Sequence, residues 1–73
     1  MKKQTQAPKL IRLSEVQERT GLSRSKLYAM QANGEFPKGV KLSDGGSAVS
    51  WIESEVNDWI WSRIKVRNSG AKS

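Results

Sequence analysis

The sequence contains no cysteine and no histidine. The first absence excludes a disulfide framework, and the two together remove cysteine-based zinc sites and most other metal chemistry. Without histidine the usual general base of enzyme catalysis is missing as well. No run approaches the roughly 18 consecutive apolar residues of a membrane-spanning helix. Residues 1–9 carry lysines, but no apolar segment follows them, so this stretch does not read as a secretory signal. Acidic residues are the scarcer charge, 7 against 13 basic ones. Three of them, Glu53, Glu55 and Asp58, cluster where a helix start and its dipole explain them. No glycine-rich phosphate loop and no nucleophile–base pair appears, so the sequence argues against an enzyme and implies no cofactor.

What is present is a short, basic chain. Its 73 residues allow one domain. A chain of that size buries only roughly 60% of its unfolded surface, which predicts modest stability. A formal charge of +6 suits a polyanion, nucleic acid foremost. An anionic membrane surface is the other candidate, and simple solubility is the plain reading. The chain reads as cytoplasmic.

Residues 1–9 are polar, aperiodic and contain Pro8, and they read as a flexible basic arm. Residues 66–73 read as a flexible basic tail, which leaves residues 10–65 as the folded body. Leu10 to Leu13 is too brief for more than an extended entry segment. Ser14 with Gln17 three residues on has the form of a capping box and predicts the start of a short first helix. Gly21 ends it, because glycine supplies a left-handed residue at little steric cost. Ser23 is the next N-cap and opens a second helix from Arg24 to about Ala32, closed by Asn33-Gly34. Two short helices joined by a glycine-containing turn make a helix-turn-helix, with Leu22 filling the corner.

Phe36-Pro37 breaks helicity. Val40 and Leu42 alternate with Lys41, Val49 and Trp51 alternate with Ser50, and Asp44-Gly45-Gly46 lies between: a hairpin signal. A last helix begins at residues 53–55 and runs to about Lys65, with Val56, Trp59, Ile60 and Ile64 forming one inward stripe. Trp61 lies off that stripe, as a rim residue or a contact surface. The expected architecture is α+β and mostly α: a winged helix-turn-helix of three helices with a two-stranded hairpin wing.

The second helix carries the main candidates. Leu27 and Met30 share the face that would bury against the first helix. Ser25, Tyr28, Ala29 and Ala32 project from the other side, with Arg24 and Lys26 flanking near the N-terminus. A recognition helix presents its N-terminal turns to the major groove, where Arg24 or Lys26 can donate to guanine and Ser25 to a base or phosphate. The free N–H groups at Ser23 and Arg24 suit a phosphate oxygen. The Tyr28 hydroxyl can also donate to a phosphate. Each residue has a plain reading too: Arg24 and Lys26 as solvated surface, Ser23 as a cap only, Tyr28 as packing at the helix edge. On the hairpin, Lys41 and Ser47 flank the tip that would approach the backbone or minor groove of the adjoining DNA, or the hairpin merely covers the core. Trp51 and Trp59 fit buried faces rather than the exposed stacking platforms of single-strand binders.

As an ordered set, several motifs resemble the AlpA family of prophage regulators. They are Arg12-Leu13-Ser14-Glu15-Val16, Thr20-Gly21-Leu22-Ser23-Arg24-Ser25-Lys26-Leu27-Tyr28, and Gly34-Glu35-Phe36-Pro37-Lys38 with Val40-Lys41-Leu42. Ala48-Val49-Ser50-Trp51 and Glu53-Ser54-Glu55-Val56-Asn57-Asp58-Trp59-Ile60 complete the set, which covers about residues 12–64. The resemblance implies a winged helix related to MerR-type domains and to phage excisionases, with residues 23–28 reading the major groove of double-stranded DNA. The family's wing tip usually carries an arginine before Ala-Val. Ser47 stands there in this chain, which implies a weaker wing contact or an altered sequence preference. The expected function is therefore sequence-specific binding of double-stranded DNA by a phage or prophage transcriptional regulator. The alternatives are a recombination directionality factor that bends DNA beside an integrase, or a protein-binding adaptor anchored on Trp61. Expected partners are DNA, with an integrase or a second copy on adjacent sites, and no membrane.

Overall fold

The computed structural model describes residues 7–70, so most of the expected N-terminal arm (residues 1–6) and residues 71–73 of the expected tail lie outside the described residues. The elements run β1 (Leu10–Arg12), α1 (Leu13–Thr20), α2 (Arg24–Ala32), β2 (Val40–Lys41), β3 (Val49–Ile52) and α3 (Glu53–Gly70). The three strands form one antiparallel sheet in the order β1-β3-β2. This mostly helical arrangement is a winged helix-turn-helix, as expected.

The sheet differs from the expected two-stranded wing. Leu10–Arg12 is a third strand, with Ile11 opposite Trp51 and Arg12 opposite Ser50. Alternation explains it: Ile11 points into the core while Leu10 and Arg12 face out. Three residues have too little local signal to announce a strand, and only the distant partner β3 makes the segment one. Glu53 N–H donates to the carbonyl of Lys9 at 2.8 Å, so Lys9 is tied to the body rather than to an arm.

That pairing also displaces the expected capping box. The N-cap of α1 is Arg12, in extended conformation and with no side-chain capping bond, so Ser14 lies inside the first turn. The strand leads straight into the helix, and burial of Ile11 and Val16 in one core sets the helix phase. Gln17 serves the other end, its side-chain amide donating to the carbonyl of Leu22 at 3.4 Å. Gly21 takes φ 75° and its N–H donates to the carbonyl of Gln17, which caps α1. Thr20 Oγ1 closes the turn by donating to the carbonyl of Val16 at 2.8 Å and accepting from Leu22 N–H at 3.2 Å.

The limits of α2 follow from local chemistry. Ser23 Oγ accepts from Lys26 N–H at 3.1 Å, a helix N-cap. At the far end Gly34, φ 78°, donates to Gln31 while Glu35 donates to Met30, the paired bonds of a Schellman motif. The hairpin β2–β3 is closed by Leu42 N–H donating to the carbonyl of Ala48 at 3.0 Å, and residues 42–48 are exposed.

The core consists of Ile11, Val16, Leu27, Phe36, Trp51 and Val56, with Leu13, Leu22, Met30, Val49, Trp59 and Ile60 packed against it. Phe36 meets Trp59 edge-on, ring centres 4.9 Å apart, and Trp59 Nε1 donates to the carbonyl of Glu35 at 2.7 Å. Helix α3 continues five residues past the expected boundary at Lys65: residues 66–70 are helical rather than irregular. Val66 to Ser69 contains no proline or glycine, so nothing in that stretch stops propagation, although its side chains are exposed. Among the described residues no helix is long and apolar enough to cross a membrane.

Candidate nucleic-acid interface

Helix α2 is held by one face. Leu27 is fully buried and Met30 half-buried, and this fixes the opposite face outward. Arg24, Ser25, Lys26, Tyr28, Ala29 and Ala32 are all exposed, as is the cap residue Ser23. The Ser23 hydroxyl is engaged with Lys26 N–H, which leaves the N–H groups of Arg24 and Ser25 at the open end of the helix. No acidic residue lies in that turn. Small side chains at 25, 29 and 32 leave the backbone accessible to a large ligand surface.

Tyr28 packs at the helix edge yet stays partly open to solvent. Its ring lies 6.2 Å from the ring of Trp51 at 59°, which ties it to the sheet, yet it keeps 36% of its surface exposed. The Arg24 guanidinium sits over the same ring at 5.9 Å, a cation–π contact. Trp51 is fully buried, and its indole N–H donates to Gln31 Oε1 at 3.1 Å. A tryptophan of β3 thus touches α2 at both Tyr28 and Gln31.

The hairpin candidates stand on a separate element. Lys41 lies on β2 opposite Val49 with its side chain exposed, and Ser47 lies in the exposed 42–48 loop. The structure therefore collects Ser23, Arg24, Ser25, Lys26 and Tyr28 on one helix and puts Lys41 and Ser47 on the wing.

Charge is distributed unevenly in function. Arg12, Arg24, Lys26, Lys38 and Lys41 are exposed cations. Arg19 differs: it donates to Glu15 on its own helix, to Glu53 on α3 at 3.0 Å and to Asn57 Oδ1 at 3.0 Å. The hydrogen bonds to Glu15 and then to Glu53 raise its pKa above the usual guanidinium range. Stability from a raised basic group is lost only as pH rises through that raised value, so Arg19 stays charged at neutral and acid pH. It clamps α1 to α3. The Glu15–Arg19 spacing of four residues is visible in the sequence, whereas the role of Glu53 is not, because its partner lies 34 residues away.

The family model described as "Prophage CP4-57 regulatory protein (AlpA)" matches residues 9–64. A protein of Enterobacteria phage P4, named "Uncharacterized protein ORF88", is 44% identical over 62 residues, covering 85% of this chain and 68% of the phage protein. The "DNA-binding transcriptional activator AlpA" of Escherichia coli (strain K12) is 32% identical over 66 residues, covering 82% of this chain and 91% of the bacterial protein.

Proposed function

Because the chain belongs to the AlpA family of prophage regulatory proteins, we propose that it binds a specific double-stranded DNA site and regulates transcription of phage or prophage genes. The N-terminal half of α2 enters the major groove. Arg24 and Lys26 donate to guanine edges or phosphates, Ser25 to a base or phosphate, and the first-turn N–H groups near Ser23 receive a phosphate oxygen. Tyr28 supports Arg24 from below. Lys41 and Ser47 bring the wing to the adjoining backbone, where a neutral serine makes a weaker contact than a cation. The reading requires neither catalysis nor a cofactor.

One observation carries it: Arg24, Ser25 and Lys26 are exposed together on the first turn of a helix whose opposite face is anchored by buried Leu27. A cationic turn at a helix N-terminus, with no acidic residue in the same turn, suits the polyanionic surface of a duplex groove.

The test is a salt titration of binding to promoter and attachment-site duplexes, with scrambled duplexes as controls and Arg24→Ala beside the wild type. If about five basic groups meet phosphates, log K should fall against log salt with a slope of about −4.5. Loss of a guanine contact at Arg24 should weaken binding about 5- to 150-fold and relax selectivity at one position. Equal affinity for scrambled DNA, indifferent to Arg24, would refute the proposal. Sites confined to attachment DNA would assign the same surface to recombination directionality instead.

A further inference from the structure

We propose that the outer face of α3 is a self-association surface on which a second copy of this chain pairs antiparallel. This rests on the DNA-binding reading only for where the pair forms; the contact itself is independent of DNA.

Trp61 is 67% exposed, an unusual position for a side chain with so much apolar area. It borders a shallow groove of about 390 Å³ lined by Asp58, Trp61, Ser62, Ile64, Lys65 and Asn68. Positions 58, 61, 62 and 65 recur at i, i+3, i+4 and i+7, so they form one stripe along the helix. The stripe lies opposite Val56 and Ile60, which face the core.

The order of residues along this stripe identifies the occupant. An acid stands at its N-terminal end, a large ring and a small serine at its centre, and a base at its C-terminal end. A two-fold axis between residues 61 and 62 places Asp58 opposite Lys65 of the second copy, and Lys65 opposite its Asp58. The same axis sets each Trp61 against a Ser62, a large side chain over a small one, and Glu55 against Asn68. Parallel pairing would oppose Asp58 to Asp58 and Lys65 to Lys65. Antiparallel pairing also aligns the two helix dipoles favourably. A surface that complements itself under one two-fold rotation is the requirement for an isologous dimer.

A contact of this length falls well below the roughly 800 Å² per partner of a stable interface, so free chains should pair weakly. Adjacent sites on one duplex raise the effective concentration enough to fill it. The candidate DNA contacts lie on α2 and the hairpin, so the stripe does not compete with them.

The chain has no native cysteine, so single introduced thiols report proximity without background. Ser62→Cys places a thiol beside the proposed axis, and Glu18→Cys places one at an exposed position on α1. Oxidation of the full chain without DNA should yield a disulfide dimer at least about tenfold faster from Ser62→Cys than from Glu18→Cys. Adding Asp58→Lys, or Lys65→Asp, to Ser62→Cys opposes like charges twice per dimer and should slow cross-linking about fivefold or more. Carrying both exchanges together restores opposite charges and should restore the rate. No excess over Glu18→Cys, or no restoration by the double exchange, overturns the proposal. Binding of the reduced variants to a duplex with one site is measured in parallel. If that binding stays selective while cross-linking fails, DNA recognition stands and the self-association proposal alone is overturned.

Discussion

Trp51→Phe tests how much of this small fold depends on one side chain. The indole is fully buried, donates to Gln31 Oε1 at 3.1 Å and touches Tyr28. Three losses add. Removing the hydrogen bond costs about 1 kcal/mol net, because half-buried Gln31 can turn its oxygen to water. The missing ring leaves about 40 Å³, worth about 1 kcal/mol at roughly 24 cal/mol per Å³ if the site does not collapse. Lost transfer of the removed carbons adds about 0.8 kcal/mol or slightly more. The sum is about 2–3 kcal/mol, against a total stability of about 4–11 kcal/mol for a chain of this length. Thermal unfolding followed by far-ultraviolet circular dichroism should show Tm lowered by about 10–20 °C. Gln31→Ala leaves a buried N–H without its acceptor and should cost about 1–2 kcal/mol. Placed in the Trp51→Phe background the same change should cost about 1 kcal/mol less, since its donor is already gone. Strict additivity of the two changes, or a Trp51→Phe Tm within about 3 °C of the wild type, would refute the reasoning.

Two further substitutions separate backbone from contact effects. Ser23→Ala removes the cap of α2 and should cost about 1 kcal/mol in urea unfolding, whereas Ser23→Asp should retain stability yet weaken DNA binding by putting an anion at the proposed phosphate position. Equal DNA affinity for the aspartate variant would place that helix end away from the backbone. Gly39→Ala sets a Cβ in collision with Val49 Cγ1 and 3.2 Å from Trp51 Cε2, so the Val49 side chain or the backbone beside it must shift and Tm should fall with a cost of about 1–3 kcal/mol. An unchanged Tm would show that Val49 moves aside freely.

Where the determinants are local, the sequence alone places the elements. Ser23 and Asn33-Gly34 carry the chemistry of both ends of α2, and its observed limits agree with that reading. The helix-turn-helix and the buried Trp51 follow in the same way from Gly21 and from alternation in Val49 to Trp51. Non-local partners defeat such reasoning. Leu10–Arg12 becomes a strand only beside β3, and that pairing starts α1 at Leu13 and leaves the Ser14 capping box unused. The Arg19–Glu53 clamp and the Trp51–Gln31 bond join residues 34 and 20 positions apart, so neither has a periodic signature. For the candidate interface, spacing alone assigns residues 24–26 and 28 to the outward side of α2. The stack that supports Arg24 needs three-dimensional contact to appear.

That stack makes a prediction about Tyr28. A long cationic side chain loses rotamer freedom on binding, and a ring beneath it reduces the loss by restricting it beforehand. Trp51 holds Tyr28, Tyr28 lies under Arg24, and so the buried sheet reaches the proposed base contact through two aromatic rings. An exposed cation–π contact is worth about 0.5–1 kcal/mol, which predicts about 2- to 5-fold weaker DNA binding by Tyr28→Ala at a temperature where all variants are folded. Tyr28→Phe keeps the ring and should bind like the wild type if ring support is the whole effect. A loss of about tenfold in Tyr28→Phe would instead assign the hydroxyl to a phosphate. The decisive comparison repeats Tyr28→Ala in the Arg24→Ala background, where a ring acting through Arg24 has nothing left to support. Its effect on binding should then vanish, and an undiminished effect would show that Tyr28 meets the DNA by itself.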